Sequence, residues 1–215
     1  MRQFLDHAVH DLRAALRKIA TSGEILLEEH PEIAACPAIL AGVARSTAIL
    51  AGISSYSTAL GVARYSFAPV RAELALDAAL RSLDGQIRET GAIVTHSALP
   101  EVVADKERLT DMFRILISNA LTYRNTDPPQ VDVSAQASSD RWIVSVRDNG
   151  IGIAPEYQER VFDPFYRLHG SEIPGVGLGL ATCRKILEAH RGQIWIESEE
   201  GAGATFLFTL PLDHQ

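Results

Sequence analysis

Three groups of residues in this sequence have the chemistry to bind a nucleotide. Residues 148–153 read DNGIGI, residues 175–180 read GVGLGL, and Asn119 lies upstream of both in a helix-like segment. The Asp148 carboxylate can accept a hydrogen bond from the amino group of adenine. The keto oxygen of guanine has no hydrogen to donate to it. The Asn119 amide oxygen suits Mg²⁺, an ion that bridges phosphates. The order of the three groups along the chain predicts an ATP site.

The two glycine segments would contribute in different ways. Residues 148–153 follow a predicted strand, and Gly150 and Gly152 permit positive φ and a close approach to the base. Residues 175–180 open a predicted helix, whose N–H groups and positive dipole end favour anions. Taken singly, each feature has a simpler interpretation, because DNG is also a common turn and GVGLGL lacks the ending of a P-loop. An isolated helical asparagine such as Asn119 more often caps a helix or packs against neighbouring side chains than binds a metal ion.

His10 is the candidate nucleophile. It lies in the first predicted helix, one position past the apolar residue Val9, so we expect it at the edge of the apolar stripe and within reach of solvent. A neutral imidazole is a good nucleophile, and its ordinary pKa leaves it largely neutral at pH 7. Asp11 can accept from one ring nitrogen while the other attacks. Without a nucleotide site nearby, His10 and His7 would be interpreted as surface histidines.

Two long helices precede the nucleotide motifs. Residues 3–29 and 37–61 each carry apolar or small residues at alternating steps of four and three, which is a heptad pattern. Pro31 ends the first helix, because proline cannot continue the hydrogen-bond ladder. Two such helices form a hairpin that buries its stripe well when two copies pack as a four-helix bundle. We therefore predict a homodimer through residues 1–64, the alternative being that both helices pack on the second half of their own chain.

The pattern of apolar and turn residues over 65–215 predicts a separate α/β sandwich, so the fold class expected for the whole chain is α+β. Residues 65–71 are expected to form an edge strand, since Pro69 cannot donate to a ladder. The helix over residues 72–90 should bury apolar positions from Leu74 to Ile87. A mixed sheet covered by helices on one face is expected, from further helices over 106–124 and 177–190 and strands near 92–96, 101–104, 130–136, 141–148, 193–198 and 203–210.

Composition excludes several other classes of protein. The chain has 215 residues, a net charge of −7 and 47% hydrophobic residues. The negative charge disfavours a nucleic-acid partner. Cys36 and Cys183 lie far apart without a CxxC pair, which favours reduced thiols over a disulfide or zinc site. No apolar run is expected to be long enough to span a bilayer, and residues 1–7 lack the apolar core of a signal peptide. These features favour a cytoplasmic protein.

Five segments together resemble the transmitter region of bacterial sensor histidine kinases, especially the phytochrome-like branch. HDLRAALRKI at 10–19 resembles the phosphoacceptor box, and SNALTYR at 118–124 resembles the N box. The glycine segments at 148–153 and 175–180 resemble the two glycine boxes. VFDPFYRL at 161–168 resembles the F box, and GATF at 203–206 also fits. The resemblance covers nearly the whole chain.

The resemblance implies a dimerising two-helix domain and a Bergerat-type ATPase domain. It implies transfer of the γ-phosphoryl of ATP to His10 and then to an aspartate of a response regulator receiver domain. The input domain is expected to be either a separate sensor protein or a domain outside this sequence. Asn119 would hold Mg²⁺ and Tyr123 would pack near the base. Residues 163–176 would form a mobile lid. The remaining residues implied to contact nucleotide are Asp148, Gly150, Gly152, Gly175, Gly177, Gly179, Leu180 and Thr205.

Four positions depart from the family pattern. In the phosphoacceptor box Ala15 stands where proline is usual, and Ala14 stands where a hydroxyl or amide often assists dephosphorylation, so weak phosphatase activity is expected. Ile115 stands where a second polar residue is usual, and Thr122 stands where lysine is usual. Ile115 supplies no hydrogen bond and Thr122 supplies no charge, so slow autophosphorylation is expected. These departures keep open a second interpretation, a phosphotransfer or scaffold protein on the same fold with little kinase activity.

Overall fold

A computed structural model describes residues 2–30, 33, 36–61, 65–168 and 175–212, and within helix α1 the side chains of Leu12 and of residues 14–29. Five helices run over α1 (Arg2–Glu29), α2 (Cys36–Ala59), α3 (Ala72–Thr90), α4 (Lys106–Thr122) and α5 (Gly179–Ala189). Seven strands run over β1 (Phe67–Arg71), β2 (Ile93–His96), β3 (Glu101–Asp105), β4 (Gln130–Ala137), β5 (Arg141–Asp148), β6 (Ile194–Ser198) and β7 (Ala204–Pro211). These bounds confirm the order of elements expected from the sequence.

Helices α1 and α2 pack on each other as a hairpin. At Gly23 of α1, an added Cβ would lie 2.9 Å from Leu40 Cδ2 of α2, so the missing side chain lets the helices approach closely. Much of the apolar heptad pattern nevertheless faces outward, with Leu12 52% exposed and Ile19 48% exposed. The hairpin therefore leaves part of its apolar stripe uncovered within one chain.

Helix α2 is long and apolar enough to span a membrane by length and composition, contrary to the sequence expectation. Its 24 residues include Arg45 as the one charged side chain. The core helix of a soluble protein and a signal sequence pass the same criterion, so the finding by itself does not place α2 in a membrane.

The main sheet has five strands in the order β2-β4-β5-β7-β6. Strand β2 pairs parallel with β4 and the other neighbours pair antiparallel, which confirms a mixed sheet. Strand β1 pairs only with β3 in a two-stranded ladder, in which Pro69 lies opposite Val103. Proline is tolerated there because β1 is an edge strand, as expected.

Helices α3, α4 and α5 cover one face of the main sheet and close its core. Phe113 of α4 and Phe208 of β7 are fully buried, and their ring centroids lie 6.0 Å apart in an edge-to-face arrangement. Asp105 caps α4, since its carboxylate accepts from the Arg108 N–H at 3.0 Å. Capping fixes where α4 begins, and α4 in turn supplies one wall of the site described below.

One expectation for the core was wrong. Leu74 was expected to face inward, but it is 45% exposed. The inward stripe of α3 is instead formed by Ala72, Ala75, Leu76, Ala79 and Leu83. Residues 72, 76, 79 and 83 are separated by steps of four and three with 75 beside them, and Leu74 lies off that face.

Candidate nucleotide-binding site

One cavity of about 280 Å³ opens between α4, the loop after β5 and the segment that leads into α5. Its size is close to the lower end of the range for small-molecule sites. Four stretches of the chain, within 114–123, 148–153, 161–168 and 175–180, line it together with the start of β7. The lining residues are Arg114, Ile115, Ser118, Asn119, Thr122, Tyr123, Asp148, Ile151, Gly152, Ile153, Val161, Tyr166, Arg167, Leu168, Gly175, Val176, Gly177, Gly179, Leu180, Ala204 and Phe206.

Asp148 presents a carboxylate to this cavity at the end of β5. Its Oδ1 accepts from the backbone N–H of Gly150 at 2.8 Å and of Ala204 at 3.1 Å. Both bonds end on one oxygen, so the other retains its capacity to accept from a ligand. Burial raises the pKa of Asp148 and the two backbone hydrogen bonds act in the opposite direction, with burial the larger effect. The site thus holds a fixed acceptor of the kind that the amino group of adenine requires.

Gly150 and Gly152 shape the loop after Asp148 in different ways. Gly152 has a φ of +70°, and an added Cβ there would lie 2.0 Å from the Glu199 carbonyl oxygen. Gly150 has no positive φ, contrary to expectation, and it does not line the cavity. An added Cβ at Gly150 would meet the Tyr123 carbonyl oxygen at 2.3 Å. Gly150 therefore allows the loop to pass close to the end of α4.

Helix α4 forms the opposite wall and carries Asn119, and Tyr123 follows as its C-cap residue. The Tyr123 carbonyl accepts from the Ile151 N–H at 3.0 Å, which joins the end of α4 to the loop after β5. Asn119 is half-buried and lines the cavity. Among the described residues its side-chain amide has no hydrogen-bond partner, so its oxygen is available to a ligand.

The donor set around Asn119 fits magnesium better than a metal held wholly by protein. Among the described residues no group of three or more His, Cys, Asp or Glu side chains could hold a metal ion. Mg²⁺ is usually held by one or two protein oxygens together with waters and substrate phosphates. A single amide oxygen in a nucleotide-sized cavity meets that requirement.

The second glycine segment lies across the cavity from α4. Gly175, Gly177, Gly179 and Leu180 all line the cavity. Gly177 has a φ of +73°, and its carbonyl accepts from the Phe165 N–H at 2.8 Å. Gly179 begins α5 and lines the cavity with Leu180, so the N–H groups of the first turn of that helix lie at the cavity wall. Of the lid expected over 163–176, residues 169–174 lie outside the described part of the chain.

Helix α2 of the hairpin reaches this same segment. An added Cβ at Gly52 would lie 3.6 Å from Leu178 Cδ1 and 3.7 Å from Val176 Cβ. Val176 lines the cavity and Leu178 is buried. The end of α2 is therefore in contact with residues that border the site.

Thr205 is a predicted site residue that does not line the cavity. Thr205 lies between the lining residues Ala204 and Phe206 in β7. Because successive side chains of a strand point to opposite faces, Thr205 points away from the site. His10 and Asp11 lie in α1, and their side chains are outside the described part of the chain.

Sequence reasoning missed the polar residues that brace the first glycine segment. The Asn125 side-chain amide donates to the Gly150 carbonyl at 2.9 Å, and Asn149 Oδ1 accepts from the Gln130 N–H at 2.8 Å. The Ser198 hydroxyl accepts from the Ile153 N–H at 2.8 Å and donates to the Gly203 carbonyl at 2.7 Å. For Asn125 and Asn149, the only sequence feature that indicates this role is an asparagine near a glycine-rich turn. No local feature of the sequence indicates the role of Ser198.

Comparison with known proteins gives a consistent result. The family model described as histidine kinase-, DNA gyrase B-, and HSP90-like ATPase matches residues 104–214. Cyanobacterial phytochrome A of Nostoc sp. (strain PCC 7120 / SAG 25.82 / UTEX 2576) is 39% identical over 219 residues, covering 99% of this chain and 28% of that protein. Phytochrome-like protein Cph1 of Synechocystis sp. (strain ATCC 27184 / PCC 6803 / Kazusa) is 34% identical over 220 residues, covering 99% and 29%.

The chain spans less than a third of the length of these two relatives. Among solved structures, full-length ShkA in complex with AMPPNP superposes with a TM-score of 0.77 at 25% identity, covering 98% of this chain and 46% of that one. The likeness to ShkA therefore extends over both the helical hairpin and the α/β layer.

Proposed function

The chain belongs to the histidine kinase-, DNA gyrase B- and HSP90-like ATPases, and within them to the transmitter regions of sensor histidine kinases. From that premise we propose that it is an ATP-dependent protein histidine kinase of two-component signalling. The observation that carries the proposal is the cavity in which Asp148, Asn119 and the second glycine segment meet. Residues 65–215 would bind ATP, and residues 1–64 would form the dimerisation and phosphotransfer domain.

The chemistry assigns a distinct role to each side chain. Asp148 accepts from the adenine amino group, and Tyr123 and the apolar wall around Ile153 and Phe206 enclose the base. The Asn119 oxygen would hold Mg²⁺, which neutralises charge on the phosphates when bound. A ring nitrogen of His10 attacks the γ-phosphorus, a P–N bond forms as the P–O bond to ADP breaks, and Asp11 accepts a hydrogen bond from the other ring nitrogen.

From His10 the phosphoryl group would pass to an aspartate of a response regulator receiver domain. A separate sensor protein is a further proposed partner. A nucleic-acid partner is not proposed, because the net charge of the chain is −7 and phosphate backbones attract basic proteins. A membrane span is not proposed either. A cytoplasmic location is proposed with this function.

A homodimer is part of the proposal. Leu12, Ile19 and Leu26 all belong to the heptad stripe of α1 and all are exposed in one chain. A second hairpin packed on this stripe would remove their side chains from water, at roughly 25 cal/mol for each Å² of apolar surface buried. The dimeric four-helix bundle would present His10 on its outer surface.

Kinase activity is proposed to be low. Ile115 lines the cavity and is almost fully buried, so it offers no polar group to the phosphates. Thr122 also lines the cavity, but its hydroxyl donates to the Ser118 carbonyl at 2.7 Å within the same helix. These two observations favour the second candidate, a phosphotransfer or scaffold protein on the same fold with little kinase activity.

Labelling with γ-labelled ATP and Mg²⁺ tests the proposal. The expected product is a protein-bound label that is lost in acid and retained in alkali, as for a phosphoramidate on histidine. His10→Ala should abolish the label, and Asp148→Ala should abolish nucleotide binding. Full labelling of His10→Ala would show that the acceptor is wrong, and acid-stable label would contradict a histidine kinase. Turnover comparable to ordinary kinases would contradict the low activity.

A further inference from the structure

The cavity contains a cation that the family pattern does not assign. Among the described lining residues, the charged side chains are Arg114, Asp148 and Arg167. Thr122 lines the cavity without a charge, so a triphosphate bound there would lack the cation usual at that position. Arg114 and Asn119 both belong to the part of helix α4 that lines the cavity.

Arg114 stands at the opposite end of the cavity wall from the base-reading group. Arg114, Ile115, Ser118, Asn119 and Thr122 of α4 line the cavity, and so does Tyr123, which follows the last residue of the helix. Tyr123 is joined to the loop that follows Asp148. Arg114 precedes Tyr123 by nine residues, about 13 Å along the helix axis at 1.5 Å per residue. A nucleotide with its base at Asp148 would extend its phosphates past Asn119 toward Arg114.

Arg114 forms an ion pair with Asp111 within α4, and this pair leaves some of its N–H groups available to a ligand. Asp111 accepts from Arg108 Nη1 at 2.7 Å and from Arg114 Nη2 at 3.4 Å. The shorter and more buried pair is with Arg108, whose side chain is 18% exposed against 39% for Arg114. The planar guanidinium of Arg114 therefore keeps donors for an anion, and its fork matches the oxygens of a phosphate.

The start of α5 adds to the positive field beside Arg114. An added Cβ at Gly179 would lie 3.1 Å from Ile115 Cγ2, so the first residue of α5 is in contact with the neighbour of Arg114 in the sequence. A helix N-terminus favours anions through its N–H groups and dipole. The guanidinium and the helix terminus thus border the same end of the cavity.

We infer that Arg114 binds the terminal phosphates of the bound nucleotide and supplies the positive charge that Thr122 does not. The inference rests on the proposed function, because it takes an adenine nucleotide as the ligand of the cavity. It goes further in identifying a phosphate-binding residue and in giving the nucleotide a direction along α4.

Calorimetric titration with adenosine, ADP and AMPPNP in the presence of Mg²⁺ tests the inference. Arg114→Gln should weaken AMPPNP binding about tenfold, the low end for a hydrogen bond to a charged group because Arg114 is partly exposed. The same variant should leave adenosine affinity within about twofold of the wild type. Arg108→Gln is the matched control. Arg108 is the closer ion-pair partner of Asp111, and its side chain does not line the cavity. This variant should leave both affinities unchanged.

Three outcomes overturn the inference, and they are distinguishable from a failure of the proposed function. Wild-type protein that binds adenosine and AMPPNP equally well would remove the need for a phosphate-binding cation. An Arg114→Gln variant that binds AMPPNP like the wild type would exclude the residue, and one that loses adenosine and AMPPNP alike would show a structural role. Wild-type protein that binds none of the three ligands would overturn the proposed function itself.

Discussion

Asp148 combines two tasks in one carboxylate. Its Oδ1 accepts two backbone N–H groups that fix the loop after β5 and the start of β7. The remaining oxygen is the acceptor proposed for adenine. An asparagine at this position could keep the first task, because an amide oxygen also accepts from N–H groups, but it would lose the charge.

Asp148→Asn is therefore expected to fold normally and to bind adenine nucleotides about tenfold to a hundredfold more weakly, as for loss of a charge-assisted hydrogen bond. Calorimetric titration with ADP measures the affinity. Asp132→Asn is the control, since Asp132 lies on β4, outside the cavity, with its carboxylate accepting from the Thr95 hydroxyl. Equal affinity of Asp148→Asn and wild type would remove Asp148 from base recognition.

The raised pKa of Asp148 predicts a pH dependence of binding and of stability. Because burial raises that pKa in the folded protein, nucleotide affinity should fall on acidification at a higher pH than for an ordinary carboxyl, near 4. A carboxyl with a raised folded-state pKa adds stability as the pH falls through that pKa, and its buried charge costs stability above it. Asp148→Asn should thus be the more stable protein at pH 7 by an amount that shrinks toward pH 4.

Denaturant unfolding of both proteins from pH 7 to pH 4 measures this difference. A difference in unfolding free energy that is constant across the range would contradict a raised pKa for Asp148.

Residue types with one dominant chemistry could be predicted from the sequence, and residues defined by distant partners could not. The structure brings Asp148, Asn119 and the second glycine segment to one cavity. Their grouping is predictable because a carboxylate, an amide and a glycine segment in that combination have few other uses than binding a nucleotide. Thr205 is not among the lining residues, because strand alternation, rather than residue type, decides which face of the sheet a side chain takes. The role of Gly150 depends on Tyr123, which lies far from it in the sequence.

At the scale of elements, the contact of α2 with the second glycine segment depends on a residue without a side chain. Gly52 lies against Val176 and Leu178. Gly42, in the same helix, would meet nothing within 4 Å if a Cβ were added. A substitution at Gly42 changes only the helix propensity of α2, whereas the same substitution at Gly52 also changes its packing on the second glycine segment.

Gly52→Leu is expected to lower the free energy of unfolding by about 1–3 kcal/mol, the usual cost of overfilling a packed contact. Gly42→Leu should raise it by up to about 1 kcal/mol, because leucine has the better helix propensity. Denaturant unfolding followed by circular dichroism compares the two. A stabilising Gly52→Leu would show that α2 does not pack on this segment.

Element bounds were predictable because hydrophobic periodicity and turn residues are local signals. The four-and-three pattern located both long helices, and Pro69 marked an edge strand. The strand order β2-β4-β5-β7-β6 could not be predicted in this way, since it depends on contacts between segments far apart in the chain. Leu74 was assigned to the wrong face because a helix end leaves its apolar stripe ambiguous by one position.

At the scale of the whole molecule, the exposed stripe of α1 predicts self-association. Leu12→Glu together with Ile19→Glu should convert the proposed dimer to a monomer, because each charge would be buried at an apolar interface. Light scattering at micromolar concentration measures the mass. Leu74→Glu is the control, since Leu74 is equally apolar and exposed but lies on α3. A wild-type monomer under these conditions would contradict the four-helix bundle.

The central claim is that the cavity between α4 and the two glycine segments binds an adenine nucleotide together with magnesium. Calorimetric titration of the wild-type protein with AMPPNP, in Mg²⁺ and again in excess EDTA, tests it most directly. We expect one nucleotide for each chain and clear weakening when the metal is chelated. The absence of magnesium-dependent binding would contradict the claim.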